Sequence, residues 1–369
     1  MSTDTDTETT ETVTDGDAQL LSWETWDRIK HTERFTLVVA IAFVTLFPTL
    51  FTNPPLIPSE LTGYEALARL VLIWGIFALG FNLLLGQTGL LSFGHAMFWG
   101  VAAYGAGLVA VHFSGSPLLM ILAGTVFAGI LAVLTAPIVL RLHTVYFSIM
   151  TLAIAQLLFF LAREPLGEIT GGINGLTGIS VDPLLGTFEL ASPLPSVLGI
   201  FWSDHMHLLL SIAFVGVVVF IARVRKSPYG LLFKAIRENE TRASFVGLNV
   251  WRYKFAAFLL SGLVVGFAGS LMPIEQLFTG VGKLHWETSG FIVMITVLGG
   301  LGTLVGPIVG VFIFLYFRQI VNGLPVIGSW WLLLLAFAFT AIVWRYPDGA
   351  WGMITNATAR LRSIGGENR

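Results

Sequence analysis

The residues able to do chemistry in this chain fall into three groups. The first is a basic island holding Arg223, Arg225, Lys226, Lys234, Arg237, Arg242, Arg252 and Lys254 against Glu238 and Glu240 only; from Ser227 to Lys254 it reads SPYGLLFKAIRENETRASFVGLNVWRYK. Cations at that density set membrane topology or dock another macromolecule, but they break no bond. The second group is uncharged: Asn82, Gln87, Ser92 and His95 lie within Gly80–Gly107 (GFNLLLGQTGLLSFGHAMFWGVAAYGAG), with Gln156 further on. Amide, hydroxyl and imidazole groups in apolar surroundings can hydrogen-bond a small polar solute. No His, Asp or Glu stands at ligand spacing from His95, so it reads as a hydrogen-bonded interior residue and not as a metal ligand. The third group is TGGINGLTG at Thr170–Gly178, where Gly171, Gly172 and Gly175 permit positive φ and Asn174 and Thr177 can bond locally. It serves either as a gate or docking surface, or simply as a turn.

The chain holds no GxxxxGK[ST], HExxH or GxSxG motif. Its apolar runs contain almost no Asp, Glu, Lys or Arg, and Arg69, Arg141 and Arg318 fall near run ends, where long side chains reach the interface. A charge at the bilayer centre costs roughly 2.5–3.5 kcal/mol on insertion scales, so membrane proteins keep one there mainly for ion work. No proton relay and no hydrolytic site is expected. The chain reads as a non-enzyme, with no metal or cofactor of its own, and any uphill movement must draw its energy from a partner.

The elements that carry these groups follow from composition. With 55% apolar residues, 11% charged residues and a mean hydropathy of +0.81, the chain lies outside the soluble range and reads as an all-α polytopic membrane protein. Ten spans are predicted at about 35–52, 66–86, 94–113, 117–140, 144–162, 206–222, 255–274, 288–302, 304–321 and 329–345. The Gly299–Gly302 sequence GGLG marks a tight turn, a kink or a re-entrant break. Basic residues at Arg28/Lys30/Arg34, Arg141/His143, 223–254 and Arg345/Arg360/Arg362 place those loops and both termini in the cytoplasm. Residues 163–205 then form the one sizeable external loop. Residues 1–27 are predicted as an acidic tail too poor in apolar residues to fold, followed by a transmembrane domain over 28–345 and a cytoplasmic tail over 346–369. No cleavable signal peptide is expected, because the first apolar run is long enough to span.

Within the basic island, Ser227-Pro228 predicts a helix start and Gly247 a left-handed end. Lys234/Glu238 and Glu238/Arg242 are spaced for pairing along one helix, with Leu232, Ile236 and Phe245 as apolar contacts. Glycine spacing predicts helix contacts at Gly262/Gly266/Ser270 and at Gly302/Gly306/Gly310.

AIRENETRASFVGLNVWRYK at Ala235–Lys254, followed by FLLSGLVVGFAGSL, resembles the cytoplasmic coupling segment of branched-chain amino acid ABC transporter permeases. The Gly80–Gly107 passage, TGGINGLTGI and VLGGLGTLVGPIVGVFIF at Val297–Phe314 resemble the same family's other signatures, in the same order. The resemblance covers about residues 66–345 and implies the ABC importer permease fold, with some helices broken or re-entrant. It implies a prokaryotic cell membrane, a second homologous permease chain, two cytoplasmic ATPase subunits that carry ATP and Mg, an external substrate-binding protein and no nucleic acid. Arg237, Glu238, Asn239, Glu240, Arg242, Ala243 and Gly247 occupy the positions that meet the ATPase. Where many ABC permeases have Glu-Ala-Ala before the glycine, this chain has Glu240-Thr241-Arg242-Ala243. Branched-chain amino acids are the implied substrate. Relatives that carry urea and short-chain amides, and a stand-alone carrier or channel, are the competing readings.

Overall fold

The computed structural model describes residues 65–193, 204–324, 328–346 and 349–353. The predicted span at 35–52, the acidic tail, most of the C-terminal tail and the basic residues at 28, 30, 34, 360 and 362 lie outside them. Twelve α-helices are described: α1 (Glu65–Thr88), α2 (Ala96–His112), α3 (Pro117–Val139), α4 (Thr144–Arg163), α5 (Gly167–Thr170), α6 (His205–Lys226), α7 (Pro228–Glu238), α8 (Glu240–Phe245), α9 (Val250–Gln276), α10 (Trp286–Gly299), α11 (Gly306–Asn322) and α12 (Trp331–Arg345). Each of the nine predicted spans that falls on described residues has its helix. Among these, α1, α3, α4, α6 and α9 are long and apolar enough to cross a membrane, while α2, α10, α11 and α12 are shorter apolar helices. Helices are the outcome that apolar surroundings demand, because no water is present there to bond a free peptide group.

Local signals set several ends. Pro117 and Pro228 open α3 and α7 in the first turn, where a missing N–H is harmless. Asp204 and Asn249 cap α6 and α9 by accepting from His207 N and Arg252 N.

The core forms where α1, α2, α3 and α9 pack together. The apolar stretch of α1 is 83% buried and that of α4 only 28%, so α1 is a central helix and α4 turns one side outward. Small residues permit the close approach: a Cβ on Gly266 would collide with the Ala128 methyl, and one on Gly124 would sit 2.6 Å from Ser270 Cβ. These contacts seat the Gly262/Gly266/Ser270 face of α9 on α3. Trp99 stacks on Phe77 at 4.6 Å and fills the space between α1 and α2.

The GGLG sequence is a tight turn between two antiparallel helices. A Cβ on Gly299 would overlap the Gly306 carbonyl, and one on Gly310 the Ile295 carbonyl, so α10 and α11 meet backbone to backbone. Gly302 lies in the turn with φ +74°, so the expected Gly302/Gly306/Gly310 face starts only at Gly306. With 14 residues, α10 is about 21 Å long at 1.5 Å per residue, shorter than a hydrocarbon core of about 30 Å.

Candidate coupling and translocation site

The basic island folds as two helices, not one. Asn239 is extended (φ −160°, ψ 103°), and its side chain accepts from Arg242 N at 2.8 Å, ending α7 and capping α8. Asparagine competes with the helix for its own backbone, and here the cap wins. Glu238 and Arg242 therefore straddle a break and cannot pair along one helix face. Ser227 precedes α7 as expected, but its hydroxyl donates to Val224 O at 2.7 Å and caps nothing. Gly247 ends the loop in the left-handed region at φ +87°, after α8 and not after a single long helix.

The island has an inner and an outer side. Gly230, Phe233 and Ile236 are buried, and so is Ala243. Glu240 pairs with Lys254 at 2.5 Å, which ties α8 to the start of α9. Glu238, Asn239, Arg242 and Gly247 are exposed. Beyond them stand Phe245 and Val246, 86% and 78% exposed, an apolar tip on the most charged segment of the chain. Arg237 is exposed like its neighbours, yet its guanidinium reaches back to the membrane helices: its Nη1 donates to Gly86 O at 2.6 Å, across 151 residues of chain.

Arg237 joins a junction at the end of α1. Asn82 donates from Nδ2 to Thr303 O (2.7 Å) and accepts at Oδ1 from Gly302 N (3.0 Å), while Arg225 donates to Gly302 O (2.7 Å). Asn82 is thus engaged with the turn between α10 and α11. Nearby, Ser92 Oγ accepts from Gly94 N, and buried Gln87 has no partner for Oε1 among the described residues. His95 is fully buried against Phe81 and Phe98, with Nε2 2.9 Å from Ser261 Oγ. The Ser261 hydroxyl spends its one proton on Gly80 O at 2.7 Å, so His95 Nε2 is the donor and Nδ1 is left without a proton and without a partner. The His95–Ser261–Gly80 chain pins the start of α2 to α9 and α1.

The remaining sequence candidates lie elsewhere. Gln156, in α4, buries an unpartnered Nε2. Gly171, Gly172 and Gly175 all have positive φ as expected, and the loop closes by paired bonds between Leu176 and Thr279. Asn174 and Thr177 are exposed and make no side-chain hydrogen bond among the described residues. The candidates therefore divide among separate places in the fold. No group of three His, Asp or Glu among the described residues could hold a metal ion.

At the opposite end of α1 the structure adds a charged site. Arg69 donates from Nε to Glu275 Oε1 at 2.7 Å and from Nη1 to Asp204 Oδ2 at 2.6 Å; it is ion-paired, not merely reaching for an interface. The Glu275 side chain is 8% exposed. These groups line a cavity of about 440 Å³ together with Leu190, Met206 and Ile274. Glu275 was legible as a lone acid in the last turn of an apolar helix, where burial demands a counter-ion. Close by, Lys283 donates to Gln276 Oε1 and Phe278 O, both at 3.0 Å, and burial pulls its ammonium down to about 8.

Comparison with known proteins bears on all of this. The family described as the permease component of branched-chain amino acid transport systems matches residues 63–343. The high-affinity branched-chain amino acid transport system permease protein LivM of Salmonella typhimurium is 30% identical over 314 residues, covering 82% of this chain and 72% of the relative. LivM of Escherichia coli is 29% identical over 300 residues, covering 78% and 69%. The L-arabinose ABC transporter permease protein AraH of Azospirillum brasilense is 38% identical over 104 residues, 27% of this chain and 31% of the relative. No solved structure matches the chain.

Proposed function

The chain belongs to the family of permease components of branched-chain amino acid transport systems, and from that premise we propose that it is one of two transmembrane subunits of an ATP-driven importer for branched-chain or similar hydrophobic amino acids. It is an integral membrane protein and an ABC transporter permease. In this reading it sits in a prokaryotic cell membrane with both termini and the basic island inside. A second, homologous permease completes the pore, two cytoplasmic ATPase subunits supply the energy, and an external binding protein delivers substrate.

The observation that carries the coupling role is the exposed Phe245–Val246 tip beyond Glu238 and Arg242. An apolar pair held out on a charged, doubly anchored loop suits a cleft on another protein, where large side chains that become buried supply most of the affinity. ATP binding closes the ATPase pair and moves the loop, biasing the permease between inward and outward access, and hydrolysis resets it. At the outer end, the 440 Å³ cavity is of a size for a small solute, and its residues sort by chemistry. The substrate ammonium group meets the Glu275 carboxylate, and Leu190, Met206 and Ile274 face the hydrocarbon side chain.

Uptake of labelled leucine, isoleucine, valine and urea by vesicles carrying the whole complex tests this, with and without ATP. ATP-dependent leucine uptake is expected. Uptake that persists without ATP or the ATPase would replace the importer with a carrier or channel, and urea uptake without leucine uptake would replace the substrate. Charge reversal at Glu240 and Arg242 together is expected to abolish uptake while membrane insertion continues; normal uptake would show that the coupling site lies elsewhere.

A further inference from the structure

Coupling requires a path from the loop into the transmembrane helices, and the side chains at the end of α1 trace one. Three side chains from three places in the chain converge on one turn. Asn82 of α1 takes Gly302 N and Thr303 O, Arg225 of α6 takes Gly302 O, and Arg237 of α7 takes Gly86 O. Gly86 O is among the last four carbonyls of α1, which have no partner within the helix and which a cation satisfies well. The parts are in close contact: a Cβ on Gly302 would lie 3.2 Å from Arg237 Nη1 and 3.3 Å from Gly86 O, and one on Gly89 3.1 Å from Arg237 Cγ.

We propose that this junction is the route by which a displacement of the cytoplasmic loop reaches the α10–α11 hairpin, with Arg237 and Arg225 acting as positioning residues and not as contacts to the ATPase. The proposal rests on the coupling reading above and adds to it the element that receives the motion. Arg237 lies two residues before the break at Asn239, on the loop helix that packs on α1 and α6, so a tilt of α7 moves the guanidinium directly. Gly302 is bonded through both its N–H and its carbonyl, so the turn follows α1 and α6 instead of flexing independently. Beyond the turn, α10 and α11 meet backbone to backbone at Gly299, Gly306 and Gly310, with no side chains between them to absorb a shift. The hairpin therefore moves as one piece. The bonds to Gly86 and Gly302 run from a cation to a neutral carbonyl, so either can exchange for a neighbouring carbonyl without leaving a buried anion behind.

The chain contains no cysteine, which allows a clean cross-link. A Cβ built on Gly89 lies 3.8 Å from Arg237 Cβ, close to the roughly 3.8 Å mean between bridged cysteines. In the full complex with its partner permease, ATPase subunits and binding protein, oxidation of the G89C/R237C pair is expected to lower uptake at least tenfold below that of the same pair reduced, and reductant to restore it only to the level of Arg237→Ala, with the ATPase still copurifying. Arg237→Ala is expected to leave copurification intact and to raise the ATP hydrolysed per molecule transported, whereas a variant that merely folds poorly would lower hydrolysis and uptake in proportion. Undiminished uptake by the cross-linked complex, loss of the ATPase from Arg237→Ala, or a proportional fall in both activities would each overturn the proposal. A wild-type complex whose uptake ignores ATP would overturn the coupling reading itself.

Discussion

The two ends of α1 are held by different chemistry. At the basic-loop end, Arg225, Arg237 and Asn82 bond to peptide groups. At the other end, Arg69 bonds to the carboxylates of Asp204 and Glu275. A peptide carbonyl released by a cation is a neutral group with a similar neighbour one residue away. A carboxylate released in a half-buried cavity is an unpaired charge, which makes separation far more costly. The difference suits a junction that shifts at one end and an anchorage that stays assembled at the other.

The largest expected effect tests the anchorage. Arg69→Met leaves Glu275 buried without its counter-ion and should destabilise the protein by about 3–5 kcal/mol, and the double variant with Glu275→Leu should recover most of the loss. Thermal unfolding in detergent measures both; equal stability of the two variants would remove the contrast between the ends. At the junction, Asn82→Leu removes its bonds to the half-buried Gly302 N and Thr303 O, each contributing about 0.5–1.5 kcal/mol. The same melting assay should show a smaller drop than Arg69→Met, accompanied by a fall in uptake. A drop as large as that of Arg69→Met would mean that the junction is also a fixed anchor.

Smaller effects concern what lies beyond each end. Phe245→Ser should weaken copurification of the ATPase about tenfold, near 1.4 kcal/mol, with no change in thermal stability, because the side chain is exposed in the isolated chain. The smallest is a pH effect at Lys283. Burial disfavours its ammonium, so the folded group loses its proton near pH 8 while the unfolded one keeps it to about 10.4. Stability is therefore depressed below pH 8 and rises with pH between those values. In the proposed topology Lys283 faces outward. A membrane-impermeant amine reagent added outside should label it with an apparent pKa near 8; labelling with a midpoint above 10 would place it in bulk water.

Much of the architecture was legible in the order of residues. The helices from α1 to α12 that match predicted spans could be read because hydropathy over some 20 residues is a local property, and Pro117, Pro228, Asp204 and Gly247 mark ends by local backbone rules. The break at Asn239 was legible in principle, since the asparagine stands three residues before the N–H it caps. It was obscured by helix-favouring neighbours and by the i, i+4 charges on either side. The site was read less well. Asn82 stands out as polar, but its partners at 302 and 303 are some 220 residues away. Arg237 was grouped with Glu238 and Arg242 because charge alone does not reveal which side of a short helix meets the membrane domain.

Taken alone, the order of amino acids determined that this chain lives in a membrane as a bundle of helices, that eight of its 20 Lys and Arg residues cluster in one loop, and that it resembles permeases of branched-chain amino acid transporters. All of these follow from composition, periodicity and short motifs. Only the tertiary structure decided which cations of the loop bond to the membrane helices, and that Glu275 completes an ion triad beside a cavity. The physical reason is that Arg225 and Arg237 bond to backbone carbonyls. Every residue carries one, so a partner of that kind leaves no mark in the sequence, and its identity emerges only when distant segments are brought together.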